Sequence, residues 1–187
     1  MNFIRTDLTK LANLESSKGT GSIRKSKPEY VHFLPPCNQA CPAGENIQEW
    51  LSLAQEGKVE DAWRKLTEQN PLPAIHGRVC YHPCENSCNR KDLDTSVSIH
   101  AVERFLGDEA LKNDWQYTPI TFSSGKKIMI VGAGPSGLSA AYHLRKLGHE
   151  VTIFEAGPVA GGMMNFGIPA YRMPRNILQA EIKRIEN

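Results

Sequence analysis

Residues 127–155 read KIMIVGAGPSGLSAAYHLRKLGHEVTIFE, and this stretch decides the fold of the C-terminal third. Lys127–Val131 is an unbroken apolar run of strand length. It passes directly into Gly132-Ala133-Gly134-Pro135-Ser136-Gly137, then a helical stretch over 138–147, then a second apolar run at 151–154 closed by Glu155. A G-x-G-x-x-G between strand and helix, with an acid 21 residues after Gly134, is the setting that a dinucleotide-binding turn requires. Gly132 permits the tight turn, Gly134 lets the backbone approach a pyrophosphate, and Gly137 allows helix and strand to pack closely. The pyrophosphate would rest on the helix N-terminus, beside Pro135 and Ser136, where free N–H groups and the helix dipole favour an anion. Glu155 is placed to accept hydrogen bonds from the adenosine ribose. The turn alone does not separate FAD from NAD(P).

Upstream the texture changes. All five cysteines fall in two groups, Cys37-Asn-Gln-Ala-Cys41-Pro42 and Cys80-Tyr-His-Pro-Cys84-Glu-Asn-Ser-Cys88, with 38 residues between Cys41 and Cys80. The residues between them are amphipathic and helical. Ile47, Trp50, Leu51 and Ala54 share one face; Val59, Ala62, Trp63 and Leu66 repeat the spacing after a stop at Gly57. This predicts a helical hairpin with both tryptophans in the core, an N-cap at Asn46 with Glu49 three residues on, and an end at Asn70-Pro71. A further helix over about 97–111 would turn Ile99, Val102, Phe105 and Leu106 inward. Residues 3–14 read as a short helical start, 16–27 as a Ser/Gly/Lys-rich stretch, and 115–125 as the junction between the two halves.

The overall composition narrows the field. The chain has 187 residues, with Lys+Arg 22 against Asp+Glu 20 and 40% hydrophobic residues. A net charge of +2 gives no footprint for nucleic acid or a membrane surface. No apolar run approaches the roughly 18 residues of a membrane span, and Asp7, Lys10 and Glu15 interrupt the start where a signal peptide needs an apolar core. The expected address is cytoplasmic. An odd number of cysteines in a reducing compartment is a poor disulfide framework, and no Cys-x-x-Cys occurs for a thiol redox protein. Two short-spaced groups brought together by a hairpin suit a metal centre instead, and thiolates select zinc, copper(I) or iron–sulfur. Pro42 after Cys41 matches the Cys-Pro ending of cluster-binding runs. Spacing alone leaves iron–sulfur, zinc and plain buried thiols open.

The stretches CNQACPAGENIQEW, NPLPAIHGRVCYHPCENSCNR and VSIHAVERFLGD resemble the N-terminal α-helical ferredoxin-like domain of the glutamate synthase small (β) subunit family. The same module opens dihydropyrimidine dehydrogenase and related NADPH–ferredoxin transhydrogenase subunits. The resemblance covers nearly all of the chain after residue 36. It implies a helical iron–sulfur domain over 37–118, after an extension over 1–36, and the incomplete β-α-β start of a Rossmann-like FAD domain over 126–187. Gly161-Gly162-Met163 and FGIPAYRMP resemble the flavin-side continuation of that family, in which a turn for NAD(P)H comes much later. The family domain holds two [4Fe–4S] clusters. One maps onto Cys41, Cys80, Cys84 and an oxygen ligand at Glu103. The other maps onto Cys37, Cys88 and two positions that here hold Glu29 and His32. One cluster is therefore expected, with Cys41, Cys80 and Cys84 as ligands and the fourth among Glu103, Cys37 and Cys88.

By that resemblance the whole protein would pass electrons from NAD(P)H through FAD and the [4Fe–4S] cluster to a redox partner subunit or domain. No side chain is expected to act as nucleophile or general acid, and this chain alone is expected not to turn over. A zinc-bound or metal-free helical module that only docks an oxidoreductase to its partner is the alternative. Because two strands rarely form a stable sheet alone, the chain reads as stopping inside a larger flavin domain. The part after Lys126 is expected to lack order unless another chain completes it.

Overall fold

A computed structural model describes residues 34–187. The helical start and the positions of Glu29 and His32 lie outside the described residues. The described part forms one compact unit. Among these residues no helix is long and apolar enough to cross a membrane.

The unit begins with α1 (Pro36–Ala40), α2 (Ile47–Gln55) and α3 (Val59–Leu66). Helices α2 and α3 form the expected hairpin, turning at Gly57 with φ +79. Ile47, Trp50, Ala62, Trp63 and Leu66 are buried, so both tryptophans are core. Asn46 does sit at the α2 N-cap, but its side chain bonds Glu49 instead of the backbone. Asn38 of α1 serves as the cap in its place, its Oδ1 accepting from the Gln48 N–H at 3.2 Å. The first helix is thereby tied to the free donors of the second.

Next come α4 (Pro73–Val79), α5 (Pro83–Asn86), a 3-10 turn (Asn89–Asp92) and the long α6 (Ile99–Lys112). Helix α4 crosses α6 at two glycines. A Cβ on Gly77 would lie 2.5 Å from the Arg104 backbone nitrogen, and one on Gly107 would collide with the backbone of Ala74. The buried stripe of α6 is Ile99, Glu103, Leu106 and Ala110. Phe105, expected inward, is 49% exposed.

After the connecting segment, β1 (Lys127–Val131) and β2 (Glu150–Phe154) pair in parallel, Lys127 opposite Glu150 and Val131 opposite Phe154. Helix α7 (Pro135–Lys146) crosses between them, and α8 (Met163–Phe166) and α9 (Arg175–Glu186) follow. Arg175 pins the loop before α9, donating to the carbonyls of Met164, Ile168 and Met173.

The part after Lys126 is not the unsupported piece that two strands suggest. Leu138, Met164, Met173, Leu178 and Ile182 form one core cluster with Leu72 and Ile75 of the helical half. The outer sheet face remains open, with Met129 67% and Val131 80% exposed. Three side chains of α7 also satisfy the carbonyls that the end of α3 leaves free. Tyr142 donates to Thr67 at 2.6 Å, Lys146 to Glu68 at 3.0 Å, and His143 Nε2 meets the Gln69 carbonyl at 3.2 Å. Tyr142 also packs edge-on against Tyr117, which stacks on Trp63 with centroids 5.6 Å apart.

Candidate functional site

Packing of α1 against α5 draws the two cysteine groups together. Cys84 and Cys88 are buried; Cys37, Cys41 and Cys80 are half-buried; none forms a disulfide. Burial pushes the Cys84 thiol up to about 12, and the neighbouring Cys41 and Cys80 add to the rise. Burial likewise raises Cys41, with Glu45 and Glu103 close enough to contribute. Cys37 is raised by burial, with Cys88 nearby. The structure thus brings Cys41, Cys80 and Cys84 together with Glu103, and sets Cys37 beside Cys88.

A backbone N–H reaches one of these sulfurs. His82 donates to Cys80 Sγ at 3.4 Å, from a left-handed backbone (φ +56) that is uncommon outside glycine. N–H donors of this kind stabilise thiolate and tune a bound centre. Among the described residues no three His, Cys, Asp or Glu side chains converge closely enough for a single metal ion.

The nearby histidines bind elsewhere. The His82 ring stacks on His100 at 3.9 Å, and His100 Nδ1 bonds Glu85 at 2.7 Å. Burial lowers His76. Among the described residues no histidine ring is hydrogen-bonded to a cysteine sulfur.

Glu103 is no solvated helix carboxylate. It is 6% exposed and bonded through Oε1 to Asn70 Nδ2 at 2.7 Å. The same nitrogen donates to Glu45 Oε1 at 2.9 Å, and Asn70 Oδ1 accepts from the Leu72 N–H. Burial pushes Glu45 up to about 7 and raises Glu103 well above the usual carboxylate range, with Glu45 adding to the effect. Neither Glu45 nor Asn70 is visible as a site residue in the sequence. Their signal is the buried contact across 25 residues, which no local pattern records.

The second site is the glycine turn. Gly132 has φ +96, and a Cβ on Gly137 would collide with the Gly132 carbonyl oxygen. Gly161 and Gly162 fold back on this turn: the Gly161 N–H donates to Ala133 at 2.8 Å, and a Cβ on Gly162 would lie 2.9 Å from Gly134 Cα. Gly134 caps the twelve-residue α7, with Pro135 in its first turn. The N–H groups of Ser136 and Gly137 have no partner among the described residues. Glu155 accepts from Gly157 and Ala133, each at 2.7 Å, and these bonds hold its carboxyl below the usual range. It braces the turn from within the chain, apart from any bond to a ribose. Beside the strands, a cleft of about 1450 Å³ is bounded by Ala133, Leu138, Val151, Ile153 and Glu155. Free donors on a helix N-terminus fit a pyrophosphate. Gly137→Ala is expected to abolish adenine-dinucleotide binding, read by flavin fluorescence titration; binding at the parental affinity would refute the role given to this turn.

The geometry joins a cysteine-bearing helical half to a nucleotide-type β-α-β unit. The comparisons agree. Residues 33–115 match the family "Dihydroprymidine dehydrogenase domain II, 4Fe-4S cluster", and residues 130–168 match "NAD(P)-binding Rossmann-like domain". The chain is 37% identical over 91% of its length to NADP(+)-dependent formate dehydrogenase subunit beta of Moorella thermoacetica, covering 28% of that protein. It is 39% identical over 86% of its length to NADPH-Fe(3+) oxidoreductase subunit beta of Geobacter sulfurreducens, covering 25%. Against the glutamate synthase [NADPH] small chain of Bacillus subtilis it is 40% identical over 76%, covering 29%. The resemblance to glutamate synthase small subunits and their relatives is therefore real. The relatives are oxidoreductases, of which the chain spans between a quarter and a third.

Proposed function

We propose that residues 37–118 form an α-helical ferredoxin-like domain holding one [4Fe–4S] cluster on Cys41, Cys80, Cys84 and Glu103, and that residues 126–187 begin an FAD-binding domain. The observation that carries this reading is the convergence of three thiols from segments 38 residues apart beside a buried carboxyl. The His82 N–H, held 3.4 Å from the Cys80 sulfur, supports it. Cys41, Cys80, Cys84 and Glu103 would hold the cluster, which when bound would supply a one-electron carrier for a flavin reduced by NAD(P)H.

The chain's own residues set the conditions for that transfer. The His82 N–H favours the thiolate form of Cys80, burial shields the Cys84 sulfur from water, and Gly132, Gly134, Gly137, Gly161 and Gly162 shape a seat for the dinucleotide. The electrons would leave to a partner subunit, in keeping with relatives that are beta subunits and small chains. Cys37 and Cys88, set beside each other, are the remainder of a second site.

Anaerobic purification or reconstitution, with absorption, iron and acid-labile sulfide analysis, tests the reading. About four irons per chain are expected, and Cys84→Ala should remove the chromophore while leaving the chain helical. Colourless protein holding a single zinc would overturn the proposal in favour of a docking module.

A further inference from the structure

Two buried carboxyls, Glu45 and Glu103, lie beside Cys41, and one side chain holds both. Asn70 is fully buried, at 0% exposure. Its amide cannot turn over, because Oδ1 is engaged by the Leu72 N–H at 3.0 Å. Both Nδ2 protons must therefore point at the carboxyls, one at each Oε1. Among the described residues neither Oε2 has a hydrogen-bond partner. The two carboxyls differ in their supports. Glu103 projects from the second turn of the fourteen-residue α6, locked against α4 by the glycine crossing, whereas Glu45 lies in the loop between α1 and α2.

We propose that Asn70 is a positioning residue for the cluster: by holding Glu103 through Oε1, it leaves Oε2 as the oxygen donor to the fourth iron and keeps Glu45 back as a non-ligand. This rests on the cluster reading above. The amide supplies donors without charge, so it restrains both carboxylates without drawing either into an ion pair. A ligand fixed by an outer partner holds its metal more firmly than a free one.

The test uses the full chain with its cluster reconstituted, in three variants. Asn70→Asp keeps an oxygen for the Leu72 N–H but presents a carboxylate to Glu103. Asn70→Ala removes the amide altogether. Glu45→Gln leaves the Glu103 bond intact. If Asn70 positions Glu103, both Asn70 variants keep the three cysteine-held irons and lose the fourth. Upon one-electron oxidation by ferricyanide the four-iron cluster then releases one ferrous ion and becomes a three-iron cluster. Iron per chain falls from about four to about three, and the paramagnetic resonance signal of an oxidised three-iron cluster appears.

Glu45→Gln should stay at about four irons under the same treatment. If Asn70→Asp does not fold, judged by circular dichroism, Asn70→Ala is read alone. Folded Asn70 variants with an unchanged four-iron signal and midpoint potential overturn the proposal. So do folded variants that lose all iron, which would make Asn70 purely structural. Parental protein that takes up no iron and sulfide fails the cluster reading itself, a result distinct from either.

Discussion

Gly107→Ala should destabilise the protein by about 3 kcal/mol, lowering its urea midpoint by roughly 1–2 M. The sign is what makes the experiment informative. Helix propensity alone favours alanine over glycine by about 1 kcal/mol in a helix interior. Only the α4–α6 crossing opposes that gain, because a Cβ on Gly107 would run into the Ala74 backbone, and Gly77 faces Arg104 equally closely. Backbone cannot give way as a side-chain tip can. The two helices must separate, taking the chain leading to Cys80 away from the Glu103 side chain. Lower iron retention should accompany the loss of stability. A Gly107→Ala protein more stable than its parent would show that the crossing has slack.

The second large effect is one of pH. Glu181 is 0% exposed in α9, and burial pushes its carboxyl up to about 7, while Arg184 and the Ala74 N–H work against the rise. Its Oε1 accepts from Ala74 at the start of α4 at 3.1 Å, and Oε2 lies 3.4 Å from Arg184, whose guanidinium sits over Trp63. Because the folded state holds this proton more tightly than the unfolded chain, the associated stability is fully present below about pH 4.5 and is lost as pH rises through about 7. The loss is on the order of 3 kcal/mol for a shift of this size. Urea midpoints at pH 5 and pH 8 should differ accordingly, and Glu181→Gln should shrink that difference even if it lowers stability at both values by leaving Arg184 unpaired. A Gln variant losing as much stability as its parent between the two pH values would show that another group is responsible.

The parts of the fold legible in the amino-acid sequence share one property: their signal is local. Lys127–Val131 is found where the pattern puts it, and both hairpin tryptophans are buried. Helix α4 escapes such a reading because NPLPAIHGRVC holds two prolines and a glycine, which read as breakers. Pro73 instead opens the helix at a position suited to proline, and Gly77 is there for the crossing. The misplacement of Phe105 has a related cause. An apolar count over α6 rotates the inward stripe, because the core position between Ile99 and Leu106 belongs to Glu103.

Within the candidate site, the cysteines are legible through spacing and Glu103 through family resemblance. Asn70 and Glu45 are not, since each is explained only by the other's presence across the fold. The same holds for the order after Lys126, which depends on Leu72 and Ile75 far upstream.

The cap that α7 places on the end of α3 has a mechanical consequence. The glycine turn sits at one end of α7, and Tyr142, His143 and Lys146 grip the helical half from the other. The helix is a strut, and it fixes how far the nucleotide seat stands from the thiols. The covalent segment over 118–121 is then only a tether. The spacing between the glycine turn and the cysteine groups is written into three side-chain bonds and an aromatic row, and not into the length of chain that joins the two halves.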